Sequence, residues 1–134
     1  MATTTTVKEN KKRIGELHFT HQLWIKELEF YKDELAIFNK RLKEVAGMYT
    51  NKKIMANVEH FQNQFIIQKE NADILMHDVN KYERSLAAIA RRSTIAIDHR
   101  SFPDHPELRN RMNSFIKIYK QLKNEYLDFL SPVM

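Results

Sequence analysis

The chain has 134 residues, 43% of them hydrophobic and 29% charged, with a net charge of +5 and no cysteine. That length suits one domain able to bury its own core, and the missing thiols exclude disulfides, thiol catalysis and thiolate metal sites. Two glycines and three prolines are too few for a sheet protein, which needs turn residues about every ten positions.

The opening residues 1–6, MATTTT, read as a disordered tail without the apolar stretch of a signal peptide. A first helix is expected near 7–46. Its apolar positions Ile14, Leu17, Trp24, Leu28, Tyr31, Leu35, Phe38, Leu42 and Val45 recur three and four apart, the spacing of a coiled-coil seam. Thr6 followed by Glu9 has the form of a capping box, and Gly47 is placed to close the helix in the left-handed conformation.

A second helix is expected near 51–98, its seam running from Ile54 through Val58, Phe61, Phe65, Leu75 and Val79 to Leu86. Asp104 and Glu107 offer a second capping box, followed by a third helix near 105–131 with Leu108, Met112, Phe115, Tyr119, Leu122, Tyr126 and Phe129 in phase. Short connections make neighbouring helices antiparallel. The fold class is therefore all-α, an antiparallel up-down-up bundle of three long helices with coiled-coil-like heptad packing, occupying residues 7–131 as one domain. From the relative lengths, the third helix is expected to stop short of the first hairpin, leaving Met48, Ile54, Val58, Phe61 and Phe65 uncovered.

Outside the seam, Leu23, Phe30 and Ile37 stand seven apart on the first helix, as do Ile67 and Ile74 on the second, with Ile95 further along. Apolar side chains repeated on an outer face mark an interface. They are assigned to a homodimer that buries the first two helices and leaves the third outside, where the matching positions are Ser114, Gln121 and Asp128.

The stretch HFTH at 18–21 raises the question of a metal. Equal-height counting groups His21, Asp78, Glu125 and Tyr126 in one buried polar layer, with His18 a turn away. No Glu-x-x-His or His-Glu-x-x-His occurs, so hydrogen bonding is expected there, with no metal and no cofactor. Glycine-rich phosphate loops and nucleophile–base pairs are missing too, which argues against an enzyme.

The antiparallel path also gathers Lys11, Lys12, Arg13, Arg91, Arg92, Arg100, Arg109 and Arg111 at one pole; with Lys8 they make nine basic residues against the acids Glu9, Asp98, Asp104 and Glu107, an excess equal to the whole net charge of +5. Such a pole suits nucleic acid or another polyanion, but no recognition motif accompanies it. No apolar run approaches the ~20 residues of a membrane span, so no membrane partner is expected and a cytoplasmic location is. The sequence thus favours a non-catalytic protein–protein interaction or scaffolding module acting as a homodimer. Polyanion binding at the pole ranks second, and a metal-binding bundle built on His18, His21, Asp78 and Glu125 third.

Overall fold

The computed structural model describes residues 4–92 and 106–133, with side chains from Lys12 onward except those of residues 89, 90 and 92. Three helices make up these residues, α1 Thr4–Met48, α2 Lys52–Arg92 and α3 Pro106–Leu130, and no strand occurs among them.

Local chemistry sets most of the boundaries. α2 opens on Asn51, whose Oδ1 accepts from the backbone N–H of Lys53 at 2.8 Å and of Ile54 at 3.3 Å. That satisfies two of the donors a helix start leaves orphaned. α3 opens on Pro106, whose missing N–H and fixed φ suit a first helical position, and Glu107 in its first turn complements the helix dipole. α3 ends at Leu130, and in the turn that follows Ser131 N–H donates to Leu127 O and Val133 N–H to Leu130 O.

Two expected caps are not where the sequence put them. α1 begins at Thr4 and contains Thr6. Each added residue gains a hydrogen bond once a helix is nucleated, and no proline or glycine stops propagation there. Gly47 is likewise inside α1, and no described glycine has positive φ. The chain leaves the helix after Met48, and the ordering falls to the Asn51 cap of α2. The Asp104 cap, the 93–98 end of the second helix and Ile95 lie outside the described residues.

One continuous core joins all three helices. On α3 the buried side chains are Leu108, Met112, Phe115, Tyr119, Leu122, Tyr126 and Leu130, again three and four apart. Contacts between α1 and α2 run in opposite senses. His21 meets Tyr82 and Glu83, Lys32 pairs with Asp73 at 2.5 Å, and Phe38 touches Phe65. Between α2 and α3 the pairs are Asp78 with Arg111, Phe65 with Tyr126, and Phe61 with Phe129. α1 and α3 rise together, through Tyr31 on Tyr119, Phe38 on Tyr126 and the Tyr49 hydroxyl donating to Val133 O at 3.1 Å.

This register overturns the expectation of a bare hairpin tip. Phe61 and Phe65 are buried beneath α3, both against Tyr126 and Phe61 also against Phe129; Val58 is buried in the same core, Ile54 is half-buried, and Met48 alone of the five is largely exposed. The 25 residues of α3 span about 37 Å. Because Arg111 lies level with Asp78, that length reaches the tip. The two-helix stretch is at the opposite end, where Leu17 and Leu86 form a small separate cluster with Ile14 beside them.

Candidate functional site

HFTH resolves into a clamp. His18 and His21 lie on the side of α1 that faces α2, and both aim Nδ1 at the carboxylate of Glu83. His18 Nδ1 lies 2.6 Å from Oε2, while His21 Nδ1 meets Oε1. A carboxylate only accepts, so both imidazoles carry their proton on Nδ1. His21 is buried between Trp24 and Tyr82, its ring 5.3 Å and 5.2 Å from theirs. Glu83 thus satisfies a histidine that would otherwise be an orphan in the core.

The predicted polar layer does not assemble. Asp78 is bound by the Arg111 guanidinium at 2.7 Å. Glu125 is exposed and accepts from Gln121. Tyr126 lies at the level of Phe38, whose carbonyl takes its hydroxyl proton at 2.8 Å. Periodicity had set His21 inward correctly, but the height of α2 against α1 was misplaced by about one turn, and that of α3 by more. The carboxylate reaching His21 is accordingly Glu83, one turn beyond Val79. Among the described residues no group of three His, Asp or Glu side chains could hold a metal ion, and His18, His21, Asp78 and Glu125 are not a ligand set.

A second polar junction centres on Glu34. Glu34 accepts from the Tyr119 hydroxyl at 2.5 Å and from Lys123 at 3.1 Å, tying α1 to α3. Burial raises the Tyr119 hydroxyl far above its usual range, and the Glu34 hydrogen bond and charge add to that. Tyr31 is raised in the same way by burial and by Glu27, which accepts its proton at 2.6 Å. Tyr126 is pushed up to about 12, chiefly by burial.

Arg109 and Arg111 are set apart from the pole at which they were expected. Arg111 is paired with Asp78 on α2, and the Arg109 guanidinium sits 5.7 Å over the Trp24 ring. Both are therefore level with the middle of α1. Arg13 and Lys12 lie eleven or more residues further along α1, about 16 Å away. Arg91 is exposed near the end of α2. The side chains of Lys11 and Arg92, and Arg100 altogether, lie outside the described residues.

Leu23, Phe30 and Ile37 are 53%, 57% and 67% exposed, and Ile67 and Ile74 are also solvent-accessible. They do not form one patch. Ile74 lines an open groove of about 640 Å³ between α2 and α3, opposite Ser114, Phe115 and Ile118, and Ile67 is one heptad along the same row. On α1, Phe30 and Ile37 stand four and three residues from Glu34, which faces α3; such spacings are neighbours on a helix surface. The two rows consequently flank α3 on opposite sides. Nor is α3 bare of apolar surface, since Ile118 is half exposed beside Ile74, and Leu127 is exposed one turn beyond Lys123 toward α1. The expectation that a dimer would bury α1 and α2 together and leave α3 outside fails on this geometry. Heptad spacing identifies a row but not the neighbour it lies beside.

No protein-family model, curated protein or solved structure matches the chain. Among the described residues no helix is long and apolar enough to cross a membrane.

Proposed function

We propose that the chain is a non-catalytic protein–protein interaction module, an up-down-up bundle with coiled-coil-like packing that acts as a homodimer. The opposed running of the α1/α2 and α2/α3 contacts, and the parallel running of α1 with α3, support the topology. The three-and-four spacing of the buried side chains supports the packing.

One observation carries the functional reading: Leu23, Phe30 and Ile37 stand seven apart on one face of α1 and are each more than half exposed. Full burial of such a side chain stabilises by roughly 1.5–3 kcal/mol, so covering the exposed half contributes about 1 kcal/mol apiece. Two copies double that sum, and Phe19 and Leu127, both exposed at the margins, extend it. The total is of the size needed to offset the cost of association.

The measurement is oligomeric state by light scattering on two variants. Phe30→Glu sets a carboxylate in the interface without a partner and should give a folded monomer. Ile67→Glu, on the other flank of α3, should leave the dimer intact. Loss of the dimer in Ile67→Glu with retention in Phe30→Glu would transfer the interface to the α2/α3 groove. Unchanged mass in both would remove either row from the interface.

A further inference from the structure

Gln68 stands in the seam of α2 where an apolar side chain is the ordinary choice: Phe65, Ala72 and Leu75 around it are all buried. Gln68 is itself only 4% exposed. Its side-chain amide has no hydrogen-bond partner among the described residues, yet neither the oxygen nor the nitrogen is sealed in the core. The amide opens onto the groove between α2 and α3, which Gln68 lines beside Leu75 and Phe115. It offers a nitrogen donor and an oxygen acceptor there, and a group so far withdrawn from water is costly to leave unpaired.

The rest of the lining has the same character. Asn71 stands three residues from Gln68 on the α2 side, and Asn110 and Ser114 stand four apart on the α3 side, all three exposed. The floor is apolar, with Leu75 and Phe115 buried, and Ile74 and Ile118 are exposed on the two walls. Charge is confined to one end, where Asp78 neutralises Arg111 and Glu107 lies in the first turn of α3. From Glu107 to Ile118 the groove follows α3 for about 16 Å, the length of about five residues of extended chain.

We infer that this groove binds an extended, uncharged peptide segment of another protein and grips it by its main chain. An extended segment carries N–H and C=O groups along both edges with no partner of their own. Gln68 and Asn71 supply acceptors and donors to one edge, and Asn110 and Ser114 to the other. Side chains on alternate residues then point down onto Leu75 and Phe115, so the segment is apolar at every second position. A helix bonds its main-chain groups internally and would bring none of them to Gln68.

The test pans a displayed library of random peptides, each about twice the groove's length, on the full wild-type chain with Gln68→Leu as counter-target. Enriched sequences should be uncharged over a central stretch and apolar at alternate positions. A capped synthetic copy of one, followed by fluorescence anisotropy, should bind Gln68→Leu about tenfold more weakly, the loss of one buried hydrogen bond. Ser114→Trp, which obstructs the groove from an exposed wall without entering the core, should weaken it at least as much. Both variants should keep the helical circular dichroism of the wild type. Methylating single central main-chain nitrogens of the peptide removes a donor while leaving every side chain, and should also weaken binding. No enrichment over Gln68→Leu, or binding indifferent to methylation at every central position, would overturn the inference. Enriched peptides with apolar residues three and four apart would hand the groove to a helix and overturn it too. Loss of a dimer in Ile67→Glu would give the groove to a second copy, with the same result.

Discussion

Glu83 holds two imidazoles from a single turn of α1, and the two are unequal. His21 is buried while the His18 side chain is 55% exposed. Removing the shared acceptor leaves a buried donor unsatisfied, which costs about 1–3 kcal/mol. Glu83→Ala should lower stability by that amount in urea melts, and His18→Ala by about half a kcal/mol or less, as exposed pairs contribute little. Equal losses in the two variants would mean that burial of His21 is not what the clamp serves. Sequence reading found the inward histidine and missed its acceptor. A heptad assigns each residue a face, but the height of one helix against the next depends on connections that periodicity does not encode.

Three tyrosines extend the residue-level account to pH. The fold favours the protonated hydroxyl of Tyr126, raising it from 10.0 to about 12, and raises Tyr31 and Tyr119 further. In the unfolded chain tyrosine ionises near ~10, so between that pH and about 12 the folded state binds more protons than the unfolded one. The stability these groups contribute is complete below pH ~10 and falls as pH rises through that window. Tyrosinate absorbance followed together with helical circular dichroism checks this. Ionisation of these tyrosines should accompany the loss of helix; full ionisation of all five tyrosines in a folded chain would contradict it.

At the scale of elements, all three helices were legible because the apolar spacing persists over many turns and almost no glycine or proline interrupts it. Ends were less legible. Asn51 caps α2 with an ordinary side-chain carbonyl that the glycine four residues earlier had overshadowed. Asn51→Ala should cost about 1 kcal/mol without changing helix content at low temperature. The reach of α3 is tested by Phe65, buried between Phe38, Phe61 and Tyr126. Phe65→Ala should destabilise by about 3 kcal/mol, because α3 closes the site and limits its collapse. A loss below about half a kcal/mol would mean that α3 does not cover the hairpin tip.

For the whole molecule, the exposed rows were visible in the sequence as residues out of phase with the seam, but their division by α3 was not. That division follows from which flank of each helix its neighbours occupy, a three-dimensional fact set by Glu34 reaching Tyr119 and by Ile74 lining the groove beside Ile118. On the homodimer proposed above, the interface falls on the α1 row and the α2/α3 groove is a separate surface. Sedimentation equilibrium of the unaltered chain, from about one to tens of micromolar and in low and high salt, tests the central claim most directly. An apolar interface resists the screening that weakens charge pairs, so the mass should approach twice the 16.0 kDa of one chain and persist in high salt. A mass fixed at that of one chain across the whole range would contradict the account.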